Sequence, residues 1–157
     1  MTIERNLIKT TASGGVSKSI AVAFDLLPCI AAYPWSSSGF GTKFSDPSTS
    51  LPDSATSVAF TSSGDAIAVA HWTSPYITAY RWSASGFGTK FSNPATLPTG
   101  TGRGVAFTAT GDAIAVAHST SPFITAYPWS TSGFGTKFSN PATLPPNQGY
   151  GVAFGAI

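Results

Sequence analysis

The chain has 157 residues and a mass of 16.1 kDa, with 42% hydrophobic, 13% aromatic and only 9% charged residues. This aromatic content argues against intrinsic disorder, and a net charge of +2 without clustered Lys or Arg argues against a nucleic-acid-binding surface. No apolar run approaches the roughly 18 residues of a membrane-spanning helix, so no membrane partner is predicted. The single cysteine, Cys29, can form no disulfide within the chain, and we expect a small core or rim residue there.

An internal repeat organises the chain. The phrase SGFGTKFSNPATLP occurs twice and a degraded version, SGFGTKFSDPST, occurs once; the copies lie at Ser85–Pro98, Ser132–Pro145 and Ser38–Thr49. Three tryptophans recur with the phrase at intervals of 47 residues; they are Trp35, Trp82 and Trp129. A fixed period of about 20–50 residues is typical of solenoids, propellers and arrays. Gly, Pro, Ser and Thr interrupt the chain every few residues, which argues against helices.

In chain order, the predicted elements begin with an N-terminal segment, residues 1–18, and continue with three repeats in residues 19–157. The repeats span about 19–57, 58–104 and 105–150, and residues 151–157 begin a further one. The first copy starts at SIAVAF, and its expected first strand, near Thr10–Ser13, bears no likeness to the corresponding GVAF. A surplus GVAF stands at the other end, at Gly151–Phe154. The strand that the first copy lacks is therefore the same strand of the repeat that stands in excess at the other end.

Each full period contains four short strand candidates separated by turn residues. In the last full copy they are Gly104–Phe107, Ala113–His118, Phe123–Trp129 and Gly135–Ser139. Gly111 and Asp112 are typical of the hairpin turn between the first two strands. Along the second strand, bulky residues alternate with alanines, so each sheet should have one bulky face and one small face that stack on neighbouring sheets. Four antiparallel strands in such a period indicate an all-β fold, a β-propeller built from four-stranded blades.

The run GVAFTATGDAIAVAHSTSPFITAYPWS resembles the WD40-type β-propeller repeat, in the recently amplified, near-identical form of bacterial and phage-associated proteins. The resemblance covers roughly residues 20–157 and implies three blades per chain. The sequence departs from the eukaryotic pattern, because Ser follows each repeat tryptophan where that pattern has Asp, and its Gly-His pair is missing. No hydrogen-bond tetrad and no partner are therefore carried over from that family.

Three blades cannot close a ring, and a single chain would expose two apolar blade faces and an unpaired strand edge. A homodimer removes both problems: six blades close the ring, and the Gly151–Phe154 strand of each subunit completes the first blade of the other. A nine-bladed trimer and a fragment of a longer array remain the alternatives.

The titratable residues favour structural roles. His71 and His118 are one repeat apart, and Phe24 takes their place in the first copy, so neither a metal site nor a cofactor is predicted. Asp65 and Asp112 fit turn geometry better than an acid–base pair. We therefore expect no enzyme, and a hydrolase or lyase is the disfavoured alternative.

A recognition surface is expected at the channel mouth, on the loops where the repeats differ. Exposed Trp, Tyr and Arg are typical anchors of such surfaces. The candidate ligand-binding residues are His71, Trp72, Tyr76, Arg103, His118, Phe123 and Tyr150. The function expected is a non-enzymatic binding scaffold for a protein or glycan ligand. The alternatives are a lectin-like glycan-binding propeller and a structural module of a phage or surface assembly.

Overall fold

The computed structural model describes residues 18–156, and these contain β-strands and no helix. The strands are β1 (Lys18–Ala23), β2 (Ile30–Ser36), β3 (Gly39–Phe40), β4 (Ala55–Phe60), β5 (Ala66–His71), β6 (Ile77–Ser83), β7 (Gly86–Lys90), β8 (Gly102–Phe107), β9 (Ala113–His118), β10 (Ile124–Ser130) and β11 (Gly133–Phe134). They form three antiparallel sheets, each built from one repeat, in the strand orders β1-β2-β3, β4-β5-β6-β7 and β8-β9-β10-β11. We call these sheets blades 1, 2 and 3.

The arrangement is all-β and propeller-like, and the three blades of one chain do not close a ring. Blades 2 and 3 have the four antiparallel strands expected from the sequence. Blade 1 has three, and the position predicted for its first strand, near Thr10–Ser13, lies outside the described residues. The first strands of neighbouring blades run side by side, since Ser57 of β4 accepts a hydrogen bond from the Val105 N–H of β8 at 3.2 Å. The first strand is therefore the inner strand of each blade.

The hairpin between the first two strands forms as its residues predict. Gly64 and Gly111 adopt φ of +70° and +72°, a backbone region that glycine enters without strain. The carboxylate of Asp65 accepts hydrogen bonds from the hydroxyls of Thr61 and Ser63 at 2.6 and 2.7 Å. The Asp112 carboxylate accepts the corresponding pair at 2.7 Å each. These aspartates therefore close turns, as expected from the sequence.

Three strands of the last full copy differ from their predicted bounds. The first begins at Gly102 and not at Gly104. The third strand begins at Ile124 and not at Phe123, because Phe123 adopts φ +68° and belongs to the preceding turn. The predicted fourth strand at Gly135–Ser139 is wrong: the strand is Gly133–Phe134. Proline at position 128 has no N–H to donate to that edge of the sheet. In blade 2 the corresponding residue is Arg81, and there the fourth strand continues to Lys90.

Neighbouring blades stack with bulky residues on small ones, which confirms the predicted alternation. The small face of blade 2 carries Ala66, Ala68, Ala70, Ile77, Ala79 and Phe91. It packs against the bulky face of blade 3, which carries Val105, Ile114, Val116, Tyr127 and Trp129. The same contact recurs between blades 1 and 2, where Ile67, Val69, Tyr80 and Trp82 form the bulky face. Each junction is therefore a repeat of one packing unit.

Aromatic rings pack together at each junction, near the C-terminal end of the third strand. The Trp129 ring meets Phe107 and Phe134 of its own blade and Phe91 of blade 2, with the Phe91 centroid at 5.0 Å. The Trp82 ring is surrounded in the same way, and its contact across the junction is Phe44 at 5.1 Å. All of these pairs are edge-on, the geometry that aromatic quadrupoles favour.

A tyrosine anchors the long loop of the preceding blade at each junction. The Tyr80 hydroxyl donates to the Thr49 carbonyl at 2.8 Å, and the Tyr127 hydroxyl donates to the Thr96 carbonyl at 2.7 Å. Burial raises the pKa of Tyr80 to about 12, so this phenol keeps its proton and its role as a donor at any ordinary pH. The repeated loop phrase thus has a structural use, because its backbone holds the next blade.

Candidate recognition face

The loop between the second and third strands of blade 2 touches the inner strand of blade 3, and the same loop of blade 3 touches the chain at Gly149. A Cβ at Gly149 would lie 2.9 Å from the Phe123 carbonyl oxygen, and a Cβ at Gly102 would collide with the Tyr76 carbonyl oxygen. Glycine at both positions lets the loop and the strand approach closely. The predicted residues of the second-to-third loops and those of the inner strands therefore lie at one end of the blades. We call this end the mouth face.

Tyr76 and Phe123 form the tight corner of these loops. Both adopt a left-handed backbone, with φ of +67° and +68°, which costs energy for a residue with a Cβ. Backbone hydrogen bonds hold the corner: the Tyr76 N–H donates to the Thr73 carbonyl at 2.8 Å, and the Tyr76 carbonyl accepts from the His71 N–H at 3.1 Å. Both aromatic side chains are half-buried, so they line the mouth face and do not project from it.

A β-bulge interrupts each inner strand where it reaches the mouth face. In β4 the bulged residue is Thr56, and in β8 it is Arg103, since the register shifts between its neighbours. Bulges redirect a side chain and are common beside binding sites. Tyr150 is the next residue at the same interval, so three near-identical repeats carry three different residues at this position. The sequence analysis missed Thr56, although alignment at the 47-residue period would have placed it in this column.

Arg103 and Tyr150 come together in the structure. The guanidinium carbon of Arg103 lies 4.9 Å from the centroid of the Tyr150 ring, a cation–π contact. The Arg103 Nε is buried and has no hydrogen-bond partner among the described residues. Tyr150 itself is largely exposed. The pair therefore presents a stacked cation and aromatic ring beside the inner strand.

Trp72 projects into solvent, as expected from its lack of a counterpart in the other repeats. Its side chain is 57% exposed, while its backbone is fixed by a hydrogen bond from its N–H to the Ser54 carbonyl at 3.1 Å. The Thr101 hydroxyl donates to the Trp72 carbonyl at 3.2 Å. An exposed indole on a backbone held by two hydrogen bonds is a candidate anchor for recognition.

His71 and His118 lie beneath the mouth face and not on it. Both imidazoles are completely buried, and their Nε2 atoms bond to the hydroxyls of Thr78 and Thr125 at 3.0 and 2.9 Å. Desolvation lowers the pKa of His71 to about 4 and lowers the pKa of His118 in the same direction. Both histidines are therefore neutral in the folded chain at neutral pH, and each joins two strands of one blade.

Acidification between pH 6.5 and pH 4 should destabilise the fold through these histidines. The pKa of His71 falls from an ordinary 6.5 to about 4 on folding, so the unfolded chain binds the proton more readily. Stability is then complete above pH 6.5 and declines as the pH falls to about 4, by about 3 kcal/mol for His71. The free energy of unfolding in urea, measured at half-unit pH steps, tests this.

The control is the double variant His71→Phe, His118→Phe, which copies the Phe24 of blade 1. Its unfolding free energy should stay level across the same window. The Asp65 and Asp112 carboxyls, whose pKa values are lowered by the threonine and serine hydroxyls beside them, titrate only at lower pH. An equal decline in the double variant would show that other groups cause the acid sensitivity.

Within residues 18–156, no three His, Cys, Asp or Glu side chains gather into a cluster that could hold a metal ion. Burial raises the pKa of the Cys29 thiol, which lies in the core between blades 1 and 2, so this cysteine is not poised as a nucleophile. No helix of the described chain could cross a membrane. The groups that the structure does bring together are thus an exposed indole, a stacked arginine and two aromatic walls.

No protein-family model matches the chain, and neither does any curated protein sequence.

Proposed function

We propose that this protein is a non-enzymatic binding scaffold in which two copies build one six-bladed ring, and that the mouth face of the ring binds a protein or glycan ligand. The observation that carries the proposal is the surface of β1. Ile20 and Val22 are 39% and 49% exposed, whereas the residues at the same positions of blades 2 and 3 are completely buried. Those counterparts are Ile67, Val69, Ile114 and Val116.

The opposite end of the chain offers the matching surface. On the small face of blade 3, Phe138 is 49% exposed and Ile124 is half-buried, while their blade 2 counterparts, Phe91 and Ile77, are buried against blade 3. An uncovered bulky face and an uncovered small face thus stand at the two ends of one stack. Two copies bring each bulky face onto a small face, and the new junctions repeat those already present within the chain.

The C-terminal segment is placed for strand exchange. Its Gly149 N–H donates to the His118 carbonyl at 3.1 Å, just as the Ala55 N–H at the start of β4 donates to the Phe24 carbonyl at 3.0 Å. Gly151 then lies against Gly104 of β8, as an inner strand of a following blade would. Residues 151–156 form no ladder within the described chain. In the proposed dimer they pair with β1 of the second copy, whose inner edge has no partner strand within residues 18–156.

The mass in solution tests ring closure. The protein should elute as one species of twice 16.1 kDa in size-exclusion chromatography with light scattering. Deleting residues 151–157 should dissociate the dimer and cause aggregation, because β1 and the apolar faces lose their cover. A stable monomer in dilute solution would contradict the six-bladed ring. A truncated protein with unchanged mass and melting temperature would contradict the strand exchange.

A glycan array tests the recognition role and separates the two ligand classes. Binding that is lost in Trp72→Ala, with the dimer intact, would assign a glycan to the mouth face. Binding that persists in this variant would place the site elsewhere and reject the mouth face as the anchor. If the ligand is a protein, no glycan on the array should bind. The wild-type dimer should then retain a protein partner, and the Trp72→Ala variant should not.

A further inference from the structure

A pocket of about 300 Å³ opens between blades 1 and 2, at the end of the junction opposite the mouth face. This volume suits a ligand of amino-acid size. Its lining includes Trp82, two phenylalanines and several small polar residues. Among the described residues, its lining is Lys18, Ser19, Pro34, Phe44, Phe60, Thr61, Ser62, Ser63, Gly64, Trp82, Ser83 and Ala84.

The junction between blades 2 and 3 shows what such a pocket holds. There Arg81 stands at the position of Pro34, and its guanidinium carbon lies 4.8 Å from the centroid of the Phe91 ring. Its Nη2 donates to the carbonyl oxygen of Thr131 at 3.1 Å. The open pocket presents the same two groups, because Phe44 corresponds to Phe91 and Ala84 corresponds to Thr131. The shorter proline side chain has no counterpart to the guanidinium group of Arg81.

One difference between the junctions gives the ligand a second requirement. The Asp65 carboxylate lies near Arg81, and its pKa is lowered mainly by the hydroxyls of Thr61 and Ser63 and to the smallest degree by the arginine charge. The residue at the same position of the open pocket is Lys18, a cation in place of an anion. A ligand with only a guanidinium would meet this ammonium without compensation, whereas an adjoining carboxylate would pair with it.

The geometry points to a binding site for an arginine with a free α-carboxylate. The guanidinium stacks on Phe44 and donates to the Ala84 carbonyl, and the carboxylate faces Lys18. Such a group is present in free arginine and at the C-terminus of a polypeptide ending in arginine. The pocket lies within one chain, so this inference stands apart from ring closure and from the mouth face.

Titration of the ¹⁵N-labelled protein at neutral pH tests the site. L-Arginine should shift the Trp82 indole signal and the Phe44 and Ala84 amide signals. Citrulline, the neutral isostere, and agmatine, which lacks the carboxylate, should each bind about tenfold more weakly, as expected for the loss of one charged contact. Equal binding of arginine and citrulline would overturn the proposal.

Three variants complete the test. Pro34→Arg should abolish the shifts, because its own side chain fills the pocket as Arg81 does in the next junction. Pro128→Arg makes the same change away from the pocket and should bind arginine normally. The Lys18→Ala variant should bind arginine no more tightly than the wild-type protein binds agmatine. Unchanged binding in Pro34→Arg would place any arginine site elsewhere.

A dipeptide pair separates the two sources of the ligand. If glycyl-arginine, whose arginine carries the carboxylate, binds as arginine does, the site accepts a polypeptide C-terminus. If only free arginine binds, the site serves the amino acid. Binding of arginyl-glycine as strong as that of arginine would overturn the role assigned to Lys18.

Discussion

Replacing Phe138 with alanine should convert the proposed dimer to a 16.1 kDa monomer. At both junctions within the chain, the corresponding phenylalanine packs edge-on against the tryptophan of the next blade, at 5.1 and 5.0 Å. Within residues 18–156 no blade follows Phe138, and Trp35, which is 40% exposed, stacks on no aromatic ring there except that of Phe40. In the proposed ring, Phe138 of one copy meets Trp35 of the other. Truncation of such an aromatic anchor costs about 2–4 kcal/mol of association free energy.

Leu26→Ala is the matched control for this variant. Leu26 is an exposed apolar residue, but its counterparts, Thr73 and Thr120, are exposed even in blades that have neighbours. Its replacement should leave the dimer intact. Light scattering measures the mass of both variants, and far-UV circular dichroism shows whether the monomeric form keeps its strands. A dimer that survives Phe138→Ala at micromolar concentration would remove Phe138 from the interface.

Trp82→Ala should reduce the free energy of unfolding by about 3–5 kcal/mol, as truncation of a large core residue does. The Trp82 side chain is buried, as the sequence predicted, and its ring contacts Phe44, Phe60 and Phe87 at centroid distances of 5.1, 5.1 and 4.9 Å. Alanine would leave a cavity between blades 1 and 2 lined by these three rings.

The matched control is Trp72→Ala, the same substitution at an exposed indole, which should change stability by no more than about 0.5 kcal/mol. Urea unfolding at one fixed protein concentration measures both variants, because self-association would make the midpoint depend on concentration. Similar losses in the two variants would mean that Trp72 also supports the fold.

The sequence predicted those parts of the fold that depend on its period. Alternation along Ala113–His118 placed Ile114 and Val116 on one face and alanines on the other, and that strand has these bounds in the structure. The errors arose where one residue changes the backbone. Phe123 adopts a left-handed conformation that its side chain does not signal, and Pro128 shortens a strand by removing a single donor.

The candidate site was harder to predict, because its geometry depends on irregular backbone. The exposure of Trp72 followed from its lack of counterparts in the repeat. The stacking of Arg103 on Tyr150 depends on a bulge, and no local pattern in the sequence marks where a ladder gains an extra residue. The pocket beside Pro34 follows from the replacement of Arg81 by proline in the first repeat, and its effect depends on the packing between two blades.

The bulky and small faces of the blades give the stack a direction. An alanine face against another alanine face would leave a gap, and two tryptophan faces would overlap, so neighbouring blades fit in one orientation only. Each added blade covers one face of its neighbour and exposes a new copy of that same face. The stack therefore grows in one direction. If such stacks close as proposed, gene duplication or deletion of a whole unit changes how many polypeptides complete a ring, while every contact between units keeps its form.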